Sequence, residues 1–271
     1  VKRIIMLALS ILLAAGCRAA APEEEVRVPL IMYHHIRTDA AACGDYVITP
    51  ETLEGDLVRL RELGYTSIGA EDLLRWLDGE GELPEKPVML TFDDGHESFA
   101  AYALPLLEKY DMKAVQAPVA AWADKYTENP DDDPAYAYMS WPRIAEIAAS
   151  GRVEIANHSY DMHLTEPRYG LMPKNGEDAA AYRAALTADL EKAETKLAAA
   201  CGYVPPVYAY PYGAYCPEAK EILAERGYRL VFTCVEQVNV VKRGAAEPLE
   251  LGRFNRAYSL DREKLFAAFE A

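Results

Sequence analysis

Apolar runs of strand length and apolar residues at helical spacing alternate along most of this chain. Leu30–Tyr33 is the first strand candidate. Thr49 is a good N-cap followed by Pro50, and it opens a helix that carries Leu53, Leu57, Leu60 and Leu63 along one side. Gly64 ends that helix, Tyr65–Ile68 predicts a second strand, and Glu71–Leu77 a further helix. Pro87–Phe92 is almost continuously apolar, as expected of a strand covered on both faces. A helix is expected over Ser98–Tyr110, bent or begun at Pro105. Strands follow at Lys113–Val119 and Val153–Ala156, with a helix over Ser140–Ser150 between them. Tyr182, Leu186, Leu190, Ala193 and Leu197 define one face of a long helix. Val207–Tyr210, Arg229–Thr233 and Leu249–Phe254 complete the strands, and 217–227 and 261–270 the helices. Asp124–Tyr138 and Leu164–Asp178 read as surface excursions. Such alternation predicts an α/β domain over residues 30–271 with a mostly parallel sheet, either closed into a barrel or doubly wound.

The N-terminal stretch breaks this pattern. Val1-Lys2-Arg3 precedes an uncharged run, Ile4–Ala15. That run is too short to span a bilayer, which needs about 20 residues, but it suits the core of a signal peptide. Leu12-Leu13-Ala14-Ala15-Gly16-Cys17 resembles a bacterial lipobox. The expectation is therefore a signal peptide over 1–16, a lipidated Cys17 followed by a polar tether over 17–29, and an exported protein held at the membrane by its lipid. An ordinary cleaved signal with Cys17 incidental is the alternative. Cys43, Cys201, Cys216 and Cys234 permit two disulfides in an exported chain, with free thiols as the other possibility. The formal charge of −15 over 271 residues repels phosphate backbones, which argues against nucleic acid as a partner.

Candidate chemistry is concentrated. All five histidines fall in three short segments, each at or just beyond the C-terminal end of a predicted strand: Met32-Tyr33-His34-His35, Thr91-Phe92-Asp93-Asp94-Gly95-His96, and Asn157-His158 through His163. Ligands and catalytic groups gather at that edge in parallel α/β folds. A five-residue step on a helix would separate His158 and His163 by about 140°, so they converge only if the segment is a loop. Two imidazoles with one aspartate form a metal site that keeps a position open, and a second aspartate stays free as a general base. Asp-Asp-Gly alone would read as a turn, and the histidine pair alone as a polar loop; together they favour a metal hydrolase.

Thr91-Phe92-Asp93-Asp94-Gly95, His158-Ser159 through His163, and Tyr210-Pro211-Tyr212-Gly213 resemble the first three motifs of the polysaccharide deacetylase family, carbohydrate esterase family four. The resemblance implies a distorted (β/α) barrel that removes N-acetyl groups from sugar polymers. It implies Asp93 as base, and Asp94, His158 and His163 as ligands of one divalent ion, with zinc the default. It also implies that the Tyr212 backbone N–H stabilises the oxyanion. Three departures qualify it. The arginine usual in the third motif is Ala209, the late aspartate–tryptophan and leucine–histidine motifs are missing, and the histidines stand five apart rather than four. The branch acting on poly-N-acetylglucosamine shares that step and an early histidine, which implies His34 as the acid protonating the leaving amine, with His35 outside the site. Arg253 is a candidate for the lost arginine, carried with Tyr160 as a possible substrate contact, and His96 is expected on the rim. Peptidoglycan, O-acetylated xylan and a catalytically silent sugar-binding lipoprotein are the alternatives.

Overall fold

The computed structural model describes residues 24–270. In chain order the elements begin with strands β1 (Glu25–Val28), β2 (Leu30–Tyr33), β3 (His35–Ile36) and β4 (Val47–Ile48), then α1 (Pro50–Glu62), β5 (Thr66–Ser67) and α2 (Ala70–Leu77). The middle of the chain gives β6 (Pro87–Asp94), α3 (Leu104–Tyr110), β7 (Ala114–Pro118), α4 (Ala120–Glu128), α5 (Trp141–Ala149), β8 (Val153–Ile155) and α6 (Ala179–Cys201). It ends with β9 (Val207–Ala209), α7 (Pro217–Glu225), β10 (Leu230–Phe232), β11 (Asn239–Lys242), β12 (Leu249–Leu251), β13 (Phe254–Asn255) and α8 (Arg262–Ala267).

The parallel order β13-β2-β6-β7-β8 is joined to β9-β10-β12 by a bridge between Asn157 and Tyr208, and the chain itself connects β12 to β13. This is the distorted (β/α) barrel. Alternate residues of its strands, among them Leu30, Met89, Val115, Val207, Leu230 and Leu251, meet in one apolar cluster inside it. A second cluster fills the space between the sheet and the helices around α1, α3, α5 and α8, and a third lies under α6 and α7. The seam at β13 is tied by fully buried Asp56 of α1, which accepts from Arg256 Nε and Arg262 Nε at 2.7 Å each.

Most predicted elements stand within a residue or two. Thr49 caps α1, its hydroxyl accepting the Thr52 N–H, and Pro105 falls in the first turn of α3. Three expectations change, and the open question of the cysteines is decided. Residues 25–28 of the expected tether form β1, paired antiparallel with β11, while the signal segment and Cys17 lie outside the described residues. The expected excursion over Asp124–Tyr138 begins inside α4, which its alanine-rich composition disguised. Leu249–Phe254 is two strands, because Gly252 and Arg253 carry the chain from β10 across to β2. The four described cysteines are free thiols. Among the described residues no helix is long and apolar enough to cross a membrane.

Candidate active site

Strand β6 runs into the site. Asp93 continues the inward parity of Met89 and Thr91, and a regular pleat would turn Asp94 to the opposite face. Asp94 instead has φ +72 and Gly95 φ +84, which bends the strand end. A Cβ on Gly95 would stand 2.8 Å from Pro118 Cβ, so contact with the end of β7 demands glycine there as well. Both carboxylates therefore line one pocket of about 330 Å³, together with His34, His158 and His163.

The two aspartates are held differently. Asp93 is buried against fully buried Arg253, accepting from Nη1 at 2.7 Å and Nη2 at 2.8 Å. That guanidinium is fixed in turn by the Thr233 carbonyl and the Thr91 hydroxyl. Burial pushes the Asp93 carboxyl up, but Arg253, helped by His158, more than offsets this and holds it below the usual carboxylate range. Asp94 Oδ1 is buried with no hydrogen-bond donor among the described residues. It faces Nε2 of His163 at 3.2 Å and Nε2 of His158 at 3.6 Å.

One donor atom each from Asp94, His158 and His163 lie within 4.8 Å of one another. His158 Nδ1 stands 2.8 Å from the Ala209 carbonyl, which can only accept, so the proton sits on Nδ1 and the Nε2 lone pair points at Asp94. A buried carboxylate oxygen and imidazole nitrogens turned toward one point repel one another unless a cation lies between them. This donor set fits a divalent ion.

The histidine loop is braced on every side. Asn157 Oδ1 accepts the Ser159 N–H at 2.9 Å, and its amide donates to the Tyr228 hydroxyl. Ser159 has φ +75, and its hydroxyl accepts the Met162 N–H. Asp189 reaches from α6 and accepts the N–H groups of Tyr160 and Asp161, both at 2.8 Å. These bonds curl the five-residue step so that the two imidazole rings stand 4.9 Å apart.

His34 follows β2 and lines the pocket with its Nδ1 buried and unpartnered. Burial lowers its pKa, opposed by the charges of Asp94 and Asp93. His35 turns to the other side, against the Ser98 hydroxyl and the Ala135 carbonyl. Tyr212 sits on the pocket wall with φ +57, its ring 4.4 Å from that of His163.

The family model described as polysaccharide deacetylase matches residues 80–231. The chain belongs to the polysaccharide deacetylase family. It is similar to the poly-beta-1,6-N-acetyl-D-glucosamine N-deacetylase of Escherichia coli strain K12, 31% identical over 223 residues. That match covers 75% of this chain and 33% of the relative, so the chain spans about a third of the relative's length. The Staphylococcus aureus (strain MRSA252) protein of the same name is 24% identical over 159 residues, covering 58% and 51%. Among solved structures, a de-N-acetylase from Aggregatibacter actinomycetemcomitans matches with TM-score 0.79 over 90% of this chain and 100% of that one, at 23% identity. IcaB from Ammonifex degensii matches with TM-score 0.72 over 90% and 97%, at 25% identity.

Tyr160 and His96 fall elsewhere than expected in this deacetylase-family chain, and Arg253 keeps its expected place as the replacement arginine but not as a substrate contact. Tyr160 is no pocket residue: its hydroxyl donates to Asp124 and Lys192 covers its ring, because the Asp189 clamp turns that peptide outward. Arg253 is buried behind Asp93 and cannot reach a substrate; it occupies the guanidinium role that Ala209 leaves open. His96 is not a rim residue, its ring lying between those of His35 and Tyr138 with Nε2 3.6 Å from Asp94 Oδ2. Sequence reasoning missed Asp189, which stands on the polar side of an ordinary amphipathic helix, and the pocket residues Tyr46, Tyr169 and Asn255. No local motif marks any of them.

Proposed function

We propose that this chain is a metal-dependent hydrolase that removes N-acetyl groups from an N-acetylglucosamine polysaccharide of the β-1,6-linked type. The observation that carries this reading is the convergence of Asp93, Asp94, His34, His158 and His163 on one pocket, with Asp94 Oδ1 buried and lacking a donor among the described residues. The polymer is suggested by the names of the Escherichia coli and Staphylococcus aureus relatives.

Asp94, His158 and His163 would hold the ion, zinc by donor type. A divalent ion there supplies Lewis acidity, making water a better nucleophile and the acetyl carbonyl a better electrophile. Asp93, ionised and held in one orientation by Arg253, accepts the proton of the attacking water at a carboxylate oxygen. The Tyr212 backbone N–H would donate to the oxygen that gains charge. His34 delivers a proton to the departing amine. Its lowered pKa makes the imidazolium a stronger acid while keeping it sparsely populated at neutral pH. Arg253 on Asp93 supplies the guanidinium missing from the third motif, which weakens the case for a silent sugar-binding protein.

The test is acetate release after zinc loading from β-1,6-linked N-acetylglucosamine oligomers, peptidoglycan and acetylated xylan, with wild type beside Asp93→Asn and His34→Ala. Release from the first substrate alone, lost in both variants, is expected. Equal release by all three proteins would overturn the assignment of base and acid, and release only from xylan or peptidoglycan would overturn the substrate. Export with lipid on Cys17 belongs to the same reading. It predicts incorporation of a labelled fatty acid that Cys17→Ser abolishes.

A further inference from the structure

The pocket volume of about 330 Å³ lies at the lower end of the range for small-ligand sites. A polymer therefore offers one unit to the aspartates while its neighbouring units cross the rim. Three exposed tyrosines line that pocket: Tyr46 at 59%, Tyr169 at 50% and Tyr212 at 40%. Two of them are coupled. The rings of Tyr169 and Tyr212 stack with centroids 5.2 Å apart and planes within 14°, and Tyr212 leans in turn on His163. A ladder of rings thus runs from a candidate metal ligand to open solvent.

The excursion carrying Tyr169 is built to hold it there. Buried Arg168 donates to Glu177 Oε1 at 2.6 Å and to the Met172 carbonyl at 2.9 Å. The Leu171 carbonyl accepts from the Tyr182 hydroxyl, and the Leu171 N–H donates to the Ala214 carbonyl. Gly170 has φ +54, and a Cβ there would meet the Pro211 carbonyl at 2.6 Å, so the loop is pressed onto the turn that bears Tyr212. Residues on both sides of Tyr169, Arg168 and Leu171, are buried while the ring between them is held half in water. The fold gains little apolar burial from that ring. A rigid aromatic with two torsions, fixed beside a catalytic pocket, is instead suited to bind a flat partner at low entropic cost.

We propose that Tyr169, backed by Tyr212, is a stacking platform for the apolar C–H face of the sugar unit next to the one that is deacetylated. This sets a preference for longer oligomers, and it rests on the reading that the chain acts on a polysaccharide. The electron-rich face of a tyrosine ring attracts the polarised C–H groups of a pyranose, and a neutral N-acetylated unit needs no charged partner.

The experiment measures kcat and KM for β-1,6-linked N-acetylglucosamine oligomers of two to six units with zinc-loaded wild type, Tyr169→Ala and Tyr169→Phe. Tyr136→Ala serves as a control, since that tyrosine is 55% exposed and does not line the pocket. Tyr169→Ala should raise KM for the longest oligomer about tenfold, the size of one aromatic contact. The effect should shrink as the oligomer shortens, Tyr169→Phe should restore most of the loss, and Tyr136→Ala should change nothing. A length-independent loss, a loss confined to kcat, or a Phe variant no better than Ala overturns the platform. If wild type releases no acetate from any oligomer, the proposed substrate fails by itself. The platform is then judged by calorimetric binding of the same oligomers to Asp93→Asn protein with and without Tyr169→Ala, where equal affinity or no binding overturns it.

Discussion

At the C-terminal mouth of the barrel, the carboxylate of Asp93 is compensated by Arg253, and that of Asp94 faces two imidazoles with which it forms a donor set fit for a cation. At the opposite mouth, Glu154 lines a larger cavity of about 480 Å³ at the start of β7, β8 and β9, and among the described residues it makes no ion pair, Lys113 acting on it only weakly from a distance. Its Oε2 accepts the Glu71 N–H of α2, and Lys113 in the same cavity pairs with Asp72. Burial, partly opposed by that one bond, pushes Glu154 up to about 7. The difference teaches that cavity size does not locate the chemistry. The smaller pocket holds the groups whose charges and lone pairs are aimed at a common point, whereas the larger one holds a carboxyl that caps a helix and favours its neutral form.

The largest effect should separate the two aspartates. Asp94→Asn removes a ligand and should abolish tight zinc binding and acetate release together. Asp93→Asn should keep the ion while lowering kcat by about 10²–10⁴-fold. Competition with a chromogenic chelator reads the affinity, and equal loss of zinc in both variants would break the division between them. Next, Arg253→Met leaves Asp93 buried without a counter-charge and should destabilise the protein by about 3–5 kcal/mol in urea unfolding. Adding Asp93→Asn should return most of that loss, and a single-variant cost within experimental error would mean that the ion pair does not hold this mouth together.

A smaller effect is expected one layer out. Asp189→Asn sets an amide N–H₂ against the N–H groups of Tyr160 and Asp161, which should weaken zinc binding about 10–100-fold with the metal-free fold intact by circular dichroism. Unchanged affinity would show that α6 does not hold the histidine loop. The smallest effect belongs to the other mouth. Since Glu154 titrates near 7 in the folded protein against an ordinary 4.5, the folded state keeps a proton that the unfolded chain has released between those values. Stability therefore falls as pH rises from about 4.5 to about 7 and does not recover above that. Glu154→Gln, which keeps an acceptor for Glu71, should match wild type near pH 4 and exceed it at pH 8 by about 1–3 kcal/mol. A pH-independent difference would remove the contrast between the mouths.

Much of the fold was legible because strand and helix periods are written locally. The Thr49-Pro50 start, the five apolar residues of α6 and the unbroken run in β6 each state their own element. The short strands β3 and β4, and α4 with its weak amphipathic pattern, were illegible for the same reason: too few residues carry the signal. In the site, the clustering of Asp93, Asp94, His34, His158 and His163 at strand ends was visible in one dimension, since a parallel barrel brings such ends to one mouth.

Tertiary structure alone decided how those side chains share the work. Arg253 meets Asp93 across 160 residues, and Asp189 meets the histidine loop from a helix 28 and 29 positions later. No period or motif encodes such meetings, because they follow from barrel closure and helix docking. On paper Tyr160, inside the histidine loop, is the sugar contact, and nothing local marks Tyr169. A carboxylate clamp turns the first away from the pocket, and a buried ion pair with a glycine-only contact holds the second at its edge. The sequence by itself determined which residue types arrive at the active mouth. Which of them are satisfied and which are left facing the ligand was set by packing, because hydrogen-bond satisfaction depends on neighbours that lie far apart in the chain.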